Sequence, residues 1–582
     1  MWHTRPITKK FRNDFEGVFT DEPQVSRNGI PWSFTFEDEY KKRYNDDLIK
    51  HLEELFLDVG EYKKTRVRFW KMVTDLFSEN FMKPIYEKCS EWGLELTGHL
   101  VLEETMLSQL TTNGACMPHY EYFHIPGMDW LGRDIYDCLT ALQVSSVAEQ
   151  LGKKRVLSET YAMCGHNVSF SELKGIYEWQ MVRGINLLCP HLQGYSVRGI
   201  RKRDYPPAMY YQQPWWSVYD KFVDAMSRES MILAESKKDV DVLVIHPQTT
   251  AWSEFSGSGN EKIKKLNKEF INLIKELEEK HIQFHLGDET IMERHARVEN
   301  GEIIIGNYGY RRVITSCCEI LLPKTERLLD EFTKTGGKIV KPEEIEDNNV
   351  TDNKEITYTK RVSDKYTIHY FVNSSEETKT ARIRVLGKKL DIYSGELIDF
   401  SENYEFEPYG SLMIIDNGES IENLIDEEEN PIYLKGEFEV SDGCLNSLLL
   451  DKCDYYFDGV LQEKDGYVLN VCERANALGR KVNIRQNYHV KINYIPKTLY
   501  LVCETPEKFK ISVNGIPVDS SITDGYFRDK CFKKLEISEK LNVGENIISF
   551  ECDFEQSEEF YENLKNPTDL KAKKISLPMI LK

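Results

Sequence analysis

The sequence predicts a multidomain chain, α/β up to about residue 345 and β-rich beyond it, on the strength of three observations. From Phe15 to about Gly199, strand-like and helix-like stretches alternate, the rhythm of parallel βα units. A second α/β segment opens at DVDVLVIHP, a continuous apolar run of the kind that forms a strand buried on both faces. After the acidic stretch EEIEDNNVTDNKE the pattern changes to short alternating strands separated by turn residues, and stays so to the end. The 582 residues leave room for three or four folding units, and the aromatic content, 31 Tyr, 27 Phe and 9 Trp, supplies their cores.

In the first segment the strand candidates are 16–20, 94–100, 120–124, 155–160 and 185–189. The helix candidates are 46–56, 66–92, 135–151 and 171–183, with Gly93, Gly152 and Gly184 where helices stop. The second segment continues through the amphipathic, lysine-rich stretch 262–280 and closes on TERLLDEFTKTGGKIV, a helix, a glycine stop and a strand, which makes a small doubly wound domain. Tyr366 to Val372 reads as a strand before the turn Asn373-Ser374-Ser375. A second acidic linker, DEEENPI at 426–432, divides the β region into a small unit and a β-sandwich. The expected boundaries are 1–235, 236–345, 346–425 and 426–582. No internal repeat or low-complexity tract is present.

The net charge, 75 minus 96, is −21, which argues against nucleic acid or an anionic membrane as partner. The thirteen cysteines contain no CxxC pair, and the adjacent Cys317 and Cys318 form neither an easy disulfide nor a zinc site, so reduced thiols are expected. The N-terminal stretch has no apolar h-region and no stretch approaches the length of a membrane span, so a cytoplasmic location is expected.

Two predicted strands end on a glutamate, FTDEP at 19–23 and RVLSET at 155–160. Glycosidic bonds are cleaved by a carboxylic acid that protonates the leaving oxygen and a carboxylate across the anomeric carbon. In a (β/α)8 barrel, strand ends supply such groups. Glu22 and Glu159 both occupy that position; the alternative is that each merely caps the next helix. Sugar sites add stacking aromatics and hydroxyl-binding polar groups. Candidates near strand ends are Asp21, His99, Glu103, Tyr122, His124, Asp129, Trp130, His191, Arg203, Asp204, Trp215 and Trp216.

At Asp21-Glu22-Pro23 and Ser158-Glu159-Thr160-Tyr161 the sequence resembles a clan A retaining glycoside hydrolase. The first motif resembles that clan's Asn-Glu-Pro with Asp in place of Asn, and the second its nucleophile at the end of strand seven. The resemblance implies Glu22 as general acid/base, Glu159 as nucleophile, and a partial (β/α)8 TIM barrel, because a strand-four motif this near the start leaves strands one to three upstream. The order of barrel, flavodoxin-like domain and β domains is similar to family 42 β-galactosidases and family 164 β-mannosidases. In the former, the middle domain resembles class I glutamine amidotransferases and makes trimers. ETPEKFKISVNGIPVD and LNVGENIISFECDF look like jelly-roll sugar-binding modules, as found in rhamnosidase-like proteins.

The implied activity is a retaining exo-glycosidase on β-galactosides or β-mannosides, with no metal or organic cofactor, a carbohydrate substrate and a homo-oligomeric state. An inverting α-L-rhamnosidase-like enzyme and a non-catalytic carbohydrate-binding scaffold are the alternatives. Amidotransferase chemistry would need a glycine-flanked nucleophile, and ITSCCEI lacks those glycines.

Overall fold

The computed structural model describes residues 16–27, 29–191, 193–203, 205–256, 259–418, 447–555 and 579–581. These form two compact units: one holds the described residues to His191 together with those from Asp220 to 418, and the other holds 193–219 together with those from 447 onward. The expected linker at 426–432 lies outside the described residues.

The first unit begins with five parallel strands in sequential order: β1 Gly17–Thr20, β2 Glu95–Gly98, β3 Ile125–Trp130, β4 Leu157–Thr160 and β5 Leu187–Pro190. Helices between them, including Lys83–Trp92, Thr140–Gln150 and Phe170–Met181, make this part of a (β/α)8 barrel. Among the described residues no strand pairs beyond β1 or β5. Close packing needs glycine at two places: a Cβ on Gly98 would lie 2.0 Å from the Thr20 carbonyl oxygen, and one on Gly127 would lie 2.6 Å from that of Gly98.

Two readings of the local sequence are corrected here. The aromatic run 120–124, expected as a strand, instead ends a helical turn, Met117–Tyr120, and leads into β3. Pro126 and Gly127 mask β3 in a propensity reading, yet the glycine is what lets β3 approach β2. The helix expected over 66–92 is two helices, Tyr62–Phe77 and Lys83–Trp92, joined by a π-turn at Ser78–Met82.

The next strands are β6 Lys237–Lys238, β7 Val242–Ile245, β8 Phe284–Gly287, the meander β9 Ala296–Glu299, β10 Glu302–Ile305 and β11 Tyr308–Tyr310, then β12 Arg312–Ile314 and β13 Lys338–Ile339. The parallel sheet runs β13-β12-β7-β8, the doubly wound flavodoxin-like order, with β7 buried along its length as its apolar run requires. Helix Glu261–Glu279, between β7 and β8, buries Ile263, Leu266, Phe270, Leu273, Ile274 and Leu277 along one stripe. The carboxyl ends of these strands dock onto barrel helices: the Trp252 indole N–H donates to the Gly114 carbonyl at 2.7 Å, and His246 Nε2 lies 3.0 Å from Gln143 Oε1. A mostly antiparallel β layer follows, built on Thr357–Val362, Thr367–Val372 and Ser411–Asp416.

Two buried ionic clusters tie these layers. Glu149 accepts from Arg361 Nη1 and from the Tyr308 hydroxyl, each at 2.7 Å, while Arg361 also donates to Ser236. Burial opposes ionisation of Glu149, but Arg361, His285 and Tyr308 outweigh it and hold the carboxyl well below its usual range. In the second cluster Glu178 accepts from Lys174 Nζ and Ser411 Oγ, both at 2.6 Å. Beside it Glu229 is 0% exposed, and neither of its carboxyl oxygens finds a donor among the described residues. Burial, then the charge of Glu178, raises Glu229 well above the usual carboxylate range against the pull of Lys174. The contact between the two glutamates is satisfied when Glu229 carries a proton and donates it.

The second unit is a β-sandwich of a six-stranded and a five-stranded sheet around a core that includes Tyr455, Val482, Tyr488, Leu501, Val513, Leu535, Ile548 and Phe550. Asn514 and Gly515, both at positive φ, make the tight turn expected at VNG. The connection that follows β5 is fastened here. Asp529 accepts from Ser196 Oγ, Val197 N and Gln212 Nε2 at 3.1, 2.9 and 3.4 Å, and Glu504 accepts from Gly199 N and Lys202 Nζ at 2.6 and 2.5 Å.

Candidate active site

The carboxyl ends of β1, β2, β3 and β4 bring together Asp21, Glu22, His99, Asp129 and Glu159. Glu159 sits in β4, in register with Asp129 of β3, and parallel register partners point to the same face. His99 follows β2 and is 1% exposed; its Nδ1 faces the Leu100 carbonyl at 2.9 Å and its Nε2 faces Glu159 Oε2 at 2.8 Å. Both partners only accept, so both ring nitrogens carry protons and the ring is an imidazolium. Burial works against that charge, but the hydrogen bond to Glu159 and the charges of Glu103 and Asp129 prevail and push His99 up to about 10. Reciprocally, the hydrogen bond from His99 lowers Glu159, helped by the His99 and His191 charges and opposed by burial.

Glu22 lies just past β1 with φ 46, a left-handed conformation rare for a glutamate. Burial, then the neighbouring Asp21 charge, raises it; His99 and Arg27 pull the other way, Arg27 through an ion pair at 3.5 Å, and Glu159 adds to the rise. Glu103 is buried behind the site, accepting from the Tyr120 hydroxyl at 2.6 Å and from the backbone N–H groups of Asp129 and Leu100 at 3.1 and 3.2 Å. Asp129 is pushed up to about 7 by burial first, then by the charges of Glu103, Glu159 and Glu22, against His99. The site therefore shifts its two strand-end glutamates in opposite directions, Glu159 down and Glu22 up. Such a split separates base or nucleophile from acid.

One ligand atom from each of Asp21, His99 and Glu159 lies within 4.8 Å of the others, a set able to hold a cation once His99 gives up its Nε2 proton. His191, after β5, adds an Nε2 at 3.9 Å from Glu159 Oε1.

Tyr122, His124 and Trp130 fall elsewhere. Tyr122 and His124 precede β3, at the amino rather than the carboxyl end of the strand. His124 accepts from Leu96 N at 2.9 Å, stacks on Tyr86 and lies 2.9 Å from Ser90 Oγ, a structural role. Trp130 is 2% exposed and packed between Tyr136 and Trp179, so it is core and not a sugar platform. Arg203, Trp215 and Trp216 belong to the second unit, and Asp204 lies outside the described residues. Residue types alone left unmarked Arg27 and the backbone beyond Glu159, where Tyr161 and Met163 take φ 78 and 64.

No protein-family profile matches the chain, and no curated protein matches it. Among solved structures it is similar to a rhamnosidase from Novosphingobium sp. PP1Y, at 13% identity over 95% of this chain and 60% of that one, with a TM-score of 0.49. It is also similar to a β-galactosidase from Bacillus circulans sp. alkalophilus, at 10% identity over 71% and 81% of the two chains with a TM-score of 0.48. An exo-carrageenase of family 42 from Bacteroides ovatus aligns at 11% identity over 68% and 65%, with a TM-score of 0.46. The chain thus spans 60% of the length of the rhamnosidase.

Proposed function

We propose that the chain is a glycoside hydrolase in which Glu159 attacks the anomeric carbon and Glu22 protonates the leaving oxygen. The observation that carries this is the opposed bias of two strand-end glutamates: His99 keeps Glu159 ionised, and burial beside Asp21 raises Glu22. Double displacement needs that division, a nucleophile charged at rest and an acid that still holds its proton. After the glycosyl–enzyme forms, Glu22 takes a proton from water and the hydroxide displaces Glu159. The substrate is a carbohydrate, read as a β-galactoside or β-mannoside cleaved with retention, and the protein works as a homo-oligomer.

The test is release of nitrophenol from β-galactoside, β-mannoside, β-glucoside and α-rhamnoside substrates, with Glu159→Gln and Glu22→Gln beside the unmodified chain. Glu159→Gln is expected to remove at least about 10³-fold of kcat, as loss of a nucleophile does. Glu22→Gln is expected to cost more on alkyl glycosides than on nitrophenyl glycosides, whose leaving group needs little protonation. A folded chain inert toward every sugar, or indifferent to Glu159, overturns the reading. Inversion at the anomeric carbon, read by NMR of the first-formed sugar, would replace double displacement by single displacement.

A further inference from the structure

In this acid-rich site, hydrogen-bonding capacity is unevenly spent. Glu103 has its three donors, and both nitrogens of His99 are engaged. Asp129 differs. Its backbone N–H is fixed by Glu103, which sets the side chain, but its Oδ1 is buried and has no hydrogen-bond partner among the described residues. A buried carboxyl oxygen left so is costly unless a ligand or water reaches it. The β3–β4 register sets the Asp129 side chain on the face that carries Glu159, one strand away.

We propose that Asp129 is the specificity-determining residue of the site, taking through Oδ1 a hydroxyl of an uncharged glycone bound against Glu159. The inference rests on the glycosidase reading and deepens it by naming the residue that selects the glycone. Charge argues for the neutral sugar. Asp21, Glu22, Glu103, Asp129 and Glu159 crowd around His99, with His191 and the largely exposed Arg27 as the further cationic or proton-accepting groups. A uronate or sulfated ring would add an anion to that set in a setting of low screening. A carboxyl oxygen accepts, and a sugar hydroxyl donates, so the unpartnered Oδ1 and the hydroxyl are complementary.

The experiment compares kcat/KM for the best-cleaved nitrophenyl glycoside, its monodeoxy analogues and its uronide, on the unmodified chain, Asp129→Ala and Asp129→Asn. Asp129→Ala is expected to lose about 10²-fold on the parent sugar, the scale of one hydrogen bond to a charged group. It should lose no more than a few-fold on the single deoxy analogue that lacks the anchored hydroxyl, with Asp129→Asn partly restoring the parent rate. The uronide is expected to be at least 10²-fold poorer than the neutral glycoside. Equal losses across all deoxy analogues, an unchanged parent rate, or a uronide cleaved as well as its neutral counterpart overturns the proposal while leaving the glycosidase reading intact.

If no glycoside is cleaved, the glycosidase reading falls. Saturation-transfer NMR with galactose, mannose and galacturonate then decides for Asp129. Binding of a neutral sugar that Asp129→Ala abolishes and Asp129→Asn retains supports the anchor, and absence of binding overturns it.

Discussion

Replacing Glu229 by Gln should flatten the pH dependence of the contact between helix Phe170–Met181 and strand Ser411–Asp416. Glu229 is 0% exposed, with the acceptor Glu178 beside it and Lys174 already donating to Glu178. A carboxyl whose pKa rises on folding binds its proton more tightly in the native state than in the unfolded one. Below about pH 4.5 both states hold the proton and nothing is lost. As pH climbs above that, the unfolded chain releases the proton and the native chain does not. Stability then falls by about 1.4 kcal/mol per pH unit until the native pKa is passed.

Gln at 229 can donate to Glu178 through its amide at any pH and carries no such slope. The assay is hydrogen exchange of the amides in 170–181 and 411–416 at pH 5, 6, 7 and 8, for the unmodified chain and Glu229→Gln. Protection of these amides is expected to drop by up to tenfold per pH unit more in the unmodified chain, after correction for intrinsic exchange. Parallel curves would show that Glu229 is ionised and paired in the native state, and would refute the shared proton.

Three further outcomes follow from the same structure. His99→Gln removes the imidazolium that lowers Glu159, so the acidic limb of the kcat/KM profile, set by protonation of Glu159, should move to higher pH with a loss of about 10²-fold, read on any cleaved glycoside. Gly98→Ala puts a Cβ 2.0 Å from the Thr20 carbonyl oxygen at φ +131, and should cost about 2–4 kcal/mol or misplace Glu22; unfolding and kcat measured together separate the two. Arg361→Ala strands the buried Glu149 carboxylate and should destabilise the first unit by about 3–5 kcal/mol, while Arg361→Ala with Glu149→Gln recovers part of it in urea unfolding.

Much of the architecture was legible because periodicity and burial agree. The run at 242–245 is apolar on both faces and is buried on both. The helix at 261–279 shows its stripe. Glu22, Glu159, His99, Asp129 and Glu103 were legible as candidates because polar groups gather where strands end. The misreading of β3 had a specific cause: Pro126 and Gly127 lower strand propensity, yet the sheet needs a residue without a side chain at 127 to admit the Gly98 carbonyl. That slip assigned Tyr122 and His124 to the wrong end of the strand. Trp130 looked like a platform because residue type does not encode burial, which Tyr136 and Trp179 decide from positions 6 and 49 residues further on. The lowering of Glu159 depends on His99, whose contact with it spans 60 residues and has no local signature.

The fastening of the connection after β5 bears on the order in which the molecule is completed. Ser196 is held by Asp529, 333 residues later, and Gly199 by Glu504, 305 residues later. During synthesis β5 and the four strands before it leave the ribosome long before either anchor exists, so the stretch 193–219 waits as an untethered loop while the first unit condenses. Closing a loop of that length is an entropic debt settled only when the sandwich folds. Truncation within the sandwich would therefore leave the barrel strands intact and free a loop that follows directly on His191, and limited proteolysis of nascent or shortened chains should cut there first.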